Sequence, residues 1–226
     1  ISSPPPQPKR PHPRIKILFE DSDILVVNKQ AGLLSVATDK MEPDTLHSRV
    51  IDYLQFDDER AWAFIVHRLD RETSGVMIFA KSKWHKEYLQ EQFAERSVHR
   101  VYHALVQGKP EENGGTIHEW LLEDKFLRVK SVNKRTPNAR EAITHWSIED
   151  SDDIASLIML TIETGRRHQI RVGLANLGNP VVGDEQHGAE GNPIGRIALH
   201  ATALELLHPA TDDPVRFEAT IPFGPE

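Results

Sequence analysis

The stretch AFIVHRLDRETSGVMIFA, residues 63–80, sets a densely charged segment between two short apolar runs. AFIV and VMIFA have the length and β-branched or aromatic content of buried strands, so the segment between them reads as a loop. In that loop Asp70 stands between Arg68 and Arg71. An aspartate flanked by arginines is often no more than a surface ion pair. A loop joining two buried strands, however, projects from a rigid scaffold, which is where catalytic groups are usually carried. In extended backbone Arg68 and Asp70 point to the same side, because side chains alternate with period two. A nearby arginine keeps a carboxylate ionised, which suits Asp70 to nucleophilic or electrostatic work rather than proton donation. HRLD has a superficial likeness to a kinase catalytic loop, but there Asp directly follows Arg, and the Gly-rich loop such enzymes need is absent.

Outward from this loop, IKILFE and ILVVNK, separated by DSD, predict two strands and a tight turn. TLHSRVIDYL (residues 45–54) spaces Leu46, Val50, Tyr53 and Leu54 at helical intervals, and a second helix runs from an N-cap at Ser82 to about Ser97. VYHALVQG, KFLRVKSV, AITHWSIE and IASLIMLTIE follow as strands, then a helix near HQIRVGLANLG, then IALHATALELLH and VRFEATI as strands. With roughly nine or ten strands, about three helices and few regular strand-helix-strand alternations, the expected class is α+β, a mixed and mainly antiparallel sheet with flanking helices. No P-loop and no Gly-rich dinucleotide turn is present, so a nucleotide cofactor has no visible place to bind.

The chain has 226 residues, 38% of them hydrophobic, enough for one substantial core or two small ones. Residues 1–14, ISSPPPQPKRPHPR, hold six prolines and are expected to form an extended flexible tail, leaving 15–226 as the folded unit. The chain starts at Ile1 rather than Met, which leaves room for a further N-terminal segment. No apolar run approaches the roughly 18 residues of a membrane span and no signal segment is visible, so the expected location is cytoplasmic. With no cysteine, disulfides, thiolate metal sites and cysteine nucleophiles are excluded. A net charge of -7 argues against indiscriminate coating of nucleic acid. Yet residues 125–140, KFLRVKSVNKRTPNAR, hold six Lys or Arg and no acid, either a solvated hairpin or a phosphate-binding stripe.

A second constellation is TGRRHQIRVGLANLG, residues 164–178. On a helix starting near Arg167, Ile170, Leu174 and Leu177 form the buried stripe and Arg167 and Arg171 stack four apart on another face. Like charges at that spacing cost a few tenths of a kcal/mol and cations in a first turn oppose the macrodipole, so an anion should compensate. A structural carboxylate, a ligand phosphate or a catalytic aspartate would each serve. The 12 histidines raise the question of metal. His99 and His103 share a strand face but stand about 13 Å apart, and HEWLL lacks a zincin's second histidine, so no metal is expected.

HRLDRETSG resembles the signature of the RluA-type pseudouridine synthases, and ILVVNKQAGLLSV, RVYHALVQG, TGRRHQIRVGLANLGNPVVGD and IALHATALELLHP match that family in the same order. GLLSV and the compact length are most like its single-domain branch. The resemblance implies conversion of uridine to pseudouridine in rRNA, tRNA or both, on a mixed antiparallel sheet crossed by a central cleft, without metal or cofactor, membrane or obligate protein partner. It implies that Asp70 is the essential carboxylate, Tyr102 packs against the target base, Arg171 pairs with the aspartate, Arg68 fills the gap left by the flipped uridine and Leu199 is an apolar neighbour of the site. Arg167 joins them as a substrate-binding cation, and neutralising Lys134 and Arg135 should weaken RNA binding. The sequence departs from the family at Gln30, Gly173 and Asn179, where Pro, His and His are common. A non-catalytic RNA-binding module on the same scaffold, or a carboxylate-dependent nucleoside glycosidase, would use similar residues.

Overall fold

The computed structural model describes residues 14–225; the proline-rich stretch, Arg14 apart, lies outside the described residues. Eleven strands form one sheet: β1 (Lys16–Glu20), β2 (Ile24–Lys29), β3 (Phe64–Ile65), β4 (Ser74–Ala80), β5 (His99–Gln107), β6 (Gly114–Glu123), β7 (Val129–Val132), β8 (Arg140–Ser151), β9 (Ala155–Ile162), β10 (Leu199–Leu207) and β11 (Pro214–Glu218). The helices are α1 (Leu46–Gln55), α2 (Lys83–Ala94) and α3 (Gln169–Asn176). The sheet order is β1-β2-β4-β10-β5-β9-β8-β6-β7, with β3 on β4 and β11 on β10. Every pairing is antiparallel except β4 with β10. The expected mixed, mainly antiparallel α+β class is the one observed.

The half of the sheet around β2 and β4 is covered on both faces, which is why ILVV and VMIF are unbroken apolar runs. Ile24, Val26, Val76 and Ile78 pack with Leu89 of α2, whereas Leu25, Val27, Met77 and Phe79 pack with Leu46, Val50 and Leu54 of α1. Thr45 caps α1 in a capping box with Ser48 instead of being its first residue, and Ser82 caps α2 by accepting the His85 N–H, as the sequence suggests for Ser82. The other half buries Leu105, Trp146, Ile158 and Leu160 against Ile170 and Leu174 of α3.

Three local expectations need correction. AFIV forms only the two-residue β3, on Phe79 and Ala80, and the chain beyond it is irregular. The third helix begins at Gln169 rather than Arg167, because His168 adopts a left-handed backbone (φ 54°). It ends before Leu177, which is 39% exposed instead of lying in the buried stripe. Gly178 at φ 95° then turns the chain.

Strand β10 lies between β4 and β5, with Ala201 facing Gly75 on one side and Tyr102 on the other. The contact with β4 is too close for a side chain. A Cβ on Gly75 would meet the Ala201 carbonyl oxygen at 2.1 Å, and its φ of 120° lies in the region glycine favours. The loop that ends at Gly75 is thereby brought alongside the start of β10 and the middle of β5.

Candidate active site

Residues 66–73 are held by the segment that follows β2. Ser35 donates its hydroxyl to the Leu69 carbonyl (2.6 Å) and accepts the Leu69 N–H (3.1 Å), and the Gly32 N–H donates to the Arg71 carbonyl at 2.7 Å. The buried Lys29 ammonium donates to the carbonyls of Leu33 (2.7 Å), Gln30 (3.0 Å) and Arg71 (3.0 Å). Burial pushes the Lys29 ammonium down to about 7, opposed by the Glu72 and Asp70 carboxylates. Three acceptors call for three N–H groups, which only the charged form supplies. The Asp70 carbonyl in turn takes the Thr73 N–H at 3.1 Å, so the loop is bonded on both sides of the aspartate.

Asp70 opens into a cavity of about 690 Å³ whose walls include Arg68, Tyr102, Arg167, Arg171 and Leu199, so all six residues singled out from the sequence line one cleft. Tyr102 comes from β5, Leu199 from the first position of β10, and Arg167 from the turn before α3. Among the described residues no hydrogen bond or ion pair engages the Asp70 side chain. Burial raises the Tyr102 hydroxyl above the usual phenol range; Arg100 opposes the shift and the Asp70 charge reinforces it.

Arg171 departs from expectation. It is 2% exposed, and its fork closes on Asp184, which is fully buried: Nε donates to Oδ2 at 2.7 Å and Nη2 to Oδ1 at 2.8 Å. Such a bidentate pair satisfies both groups in a dry interior. The remaining nitrogen, Nη1, has no hydrogen-bond acceptor and stands 3.7 Å from Glu72 rather than in a pair with Asp70. The compensating anion anticipated for this helix is therefore Asp184. Arg167 precedes the helix and does not stack on Arg171 along it.

Two further residues of the cleft escaped the sequence reading. Arg100 on β5 stands two positions before Tyr102, the same-face spacing of a strand, and that spacing alone could have identified it. Its guanidinium stacks 5.6 Å from the Phe93 ring and its buried Nε has no acceptor. His67 stacks on the same Phe93 ring (centroids 4.8 Å apart) and accepts the Ile78 N–H at 3.1 Å, a contact that requires the neutral ring. Burial and Arg100 push the His67 imidazole down to about 3.

Gln30, Gly173 and Asn179, the departures noted above, are absent from the cleft wall. Asn179 donates to the Gln107 carbonyl (2.9 Å), while Gly173 faces Ile117 and Glu119 of β6. The basic run of residues 125–140 covers the β6–β7 turn, β7 and the link to β8, and Leu127 at the hairpin tip reaches the cleft. The one His and carboxylate grouping of metal-binding size among the described residues, Asp21, Asp23 and His208, lies at the β1–β2 turn. There Asp21 already accepts from the Asp23 and Ile24 N–H groups and from His208.

A family model described as RNA pseudouridylate synthase matches residues 23–176. The Bacillus subtilis protein named uncharacterized RNA pseudouridine synthase YhcT is 35% identical over 92% of this chain and 69% of its own. Ribosomal large subunit pseudouridine synthase D of Xanthomonas campestris is 35% identical over 92% of this chain and 66% of its own. Among solved structures, human RNA pseudouridylate synthase domain containing 1 superposes with a TM-score of 0.76 at 26% identity, covering 93% of this chain and 85% of that one.

Proposed function

The chain belongs to the RNA pseudouridylate synthase family and is an RNA pseudouridine synthase, an isomerase, and from that premise we propose that Asp70 is the carboxylate on which its reaction turns. The isomerisation breaks the bond from N1 of uracil to C1′ of ribose and forms one from C5 to the same carbon; the C5 proton leaves and N1 gains one. No oxidant and no donor group enter the balance. The observation that carries the proposal is a side chain held on both flanks by backbone hydrogen bonds yet unpaired in the cleft. A carboxylate held in no ion pair can attack the base or the sugar, or steady positive charge on the sugar, as carboxylates do in glycoside hydrolysis.

The remaining residues fit a flipped uridine. Extruding a base from structured RNA costs a few kcal/mol of stacking. Tyr102 and Leu199 give the extruded ring an aromatic and an apolar wall, and Arg68, exposed on the rim, is long enough to enter the space it leaves. Arg167 supplies positive charge where the phosphodiester enters, and Arg171, buried and held by Asp184, lines the wall. Residues 15–226 act as one catalytic domain. Ribosomal RNA is the substrate class we favour, in keeping with the name of the Xanthomonas relative, with transfer RNA second and the cytoplasm as the place of action. No helix among the described residues is long and apolar enough to cross a membrane.

Asp70→Asn tests the assignment directly. The variant is expected to bind RNA but release no tritium from uridine labelled at C5, and full turnover by it would sink the proposal. Mapping pseudouridines in cellular RNA with and without the protein identifies the substrate.

A further inference from the structure

A second cavity, also of about 690 Å³, opens beneath the β6–β7 hairpin and shares Glu123, Gly165, Arg166 and Arg167 with the wall of the Asp70 cleft. Arg140, the first residue of β8, completes its cationic side. Among the described residues none of the three arginines forms an ion pair. Arg166 is fixed by donating its Nε to the Glu141 carbonyl at 2.9 Å, which spends one nitrogen and leaves the fork free. The buried Nε of Arg167 has no acceptor among the described residues. Of the nearby acids, Glu141 turns its carboxylate to His118 (2.8 Å), and Glu123, exposed at the end of β6, has no cationic partner among the described residues. Burial, then Arg140 and Arg96, push the Arg166 guanidinium below its ordinary range, with Glu141 in opposition.

Three cations therefore crowd one cavity in a chain whose net charge is -7, and among the described residues no carboxylate forms an ion pair with them. Like charges gathered without counter-ions are unfavourable in the free protein and become favourable when a polyanion fills the space. A cavity contiguous with the uridine cleft is reached by the same RNA strand one step along. We infer that this second cavity holds the phosphodiester of a nucleotide flanking the flipped uridine, with Arg140, Arg166 and Arg167 as its contacts. The inference rests on the RNA reading above, and it directs the strand out of the cleft under the β6–β7 hairpin.

The probe is a short fluorescein-labelled oligouridylate, its affinity measured by anisotropy over a series of salt concentrations. Arg140→Gln is expected to weaken binding roughly tenfold and to flatten the salt dependence by about 0.7 in log-log slope, the value for one lost contact on a single strand. Arg140→Lys keeps the charge and is expected to keep the wild-type slope. Lys109→Gln, an exposed cation just past the far end of β5, serves as the reference. A wild-type slope in Arg140→Gln overturns the inference, and so does equal loss in the Gln and Lys variants, which marks a structural role. Inorganic phosphate competing as well as the oligonucleotide, phosphate for phosphate, assigns the cavity to a free anion and also overturns it. The two readings fail separately. A wild type that forms pseudouridine while Arg140→Gln keeps its slope defeats only this inference, whereas binding without any pseudouridine in cellular RNA defeats the enzymatic reading.

Discussion

At the scale of single residues the cleft depends on two buried cations with different kinds of partner. Arg171 is held through two of its nitrogens by one buried carboxylate, Asp184, and removing a partner from such a pair strands the other charge in a dry interior at about 3–5 kcal/mol. Asp184→Asn is accordingly expected to lower the unfolding free energy by that order, measured in urea, and to lose activity as Arg171 leaves the cleft wall. Lys29 is satisfied by three carbonyls, and Lys29→Met leaves those of Gln30 and Leu33 without a donor while that of Arg71 keeps the Gly32 N–H. Unsatisfied buried groups cost about 1–3 kcal/mol each, so this variant is expected to be among the least stable single substitutions, read by thermal unfolding. The need for an anion beside Arg171 was visible in the spacing of its charges, but its identity was not. Asp184 is separated from Arg171 by the turn that follows α3, and sequence spacing carries no distance across a turn. Arg68 and Asp70, by contrast, could be placed in one site from period two alone.

At the scale of elements, a short irregular segment is held as firmly as a strand would be. Residues 66–73 have no ladder of their own beyond β3, yet Lys29, Gly32 and Ser35 bond them from the neighbouring segment. Ser35→Ala removes two of those bonds and is expected to reduce turnover more than it reduces RNA affinity, a split read from kcat against KM, because it frees the backbone beside Asp70. The buried strands β2 and β4 were legible because both faces are covered and the runs are continuously apolar. Strand β6, GGTIHEWLLE, was missed; most of its positions are exposed or half-buried, so no apolar alternation marks it. The tip of the hairpin it opens carries Phe126, 66% exposed, with Lys125 and Arg128 at 5.0 and 5.2 Å from its ring. Base stacking on such an aromatic contributes about 1–3 kcal/mol. Phe126→Ala is expected to weaken oligouridylate binding by roughly 5- to 150-fold, the equivalent of that range, and unchanged affinity would leave the tip without a part in binding.

At the scale of the whole molecule, two histidines far apart in sequence make stability depend on acid. Burial pushes His67 to about 3 and His168 to about 4, with Arg100 adding to the first, Arg171, His187 and Arg167 to the second, and Glu72 opposing at the second. In the unfolded chain both titrate near 6.5, so below that pH the unfolded state binds more protons than the folded one. Stability is thus fully present above about pH 6.5 and falls as pH drops toward 4, by up to about 1.4 kcal/mol per unit for each histidine. Urea midpoints taken between pH 7 and pH 4.5, a window of roughly this titration, are expected to decline, and less steeply in His168→Asn, since asparagine tolerates the left-handed backbone. A flat profile would mean that these rings take up protons over the same pH range in the native state as in the unfolded chain.

The position of β10 has a consequence in time. The strands made first, β1 to β4, and those made next, β5 to β9, meet only through β10, which inserts between the two groups after both have been synthesised. A chain still on the ribosome can assemble either flank but cannot align Asp70 with Tyr102, because the strand between them has not yet emerged. Long-range insertion of this kind is slow compared with local helix or hairpin formation. Synthesis of the polypeptide and onset of its chemistry are therefore separated by one late docking step, and no isomerisation is expected of a nascent chain until that step is complete.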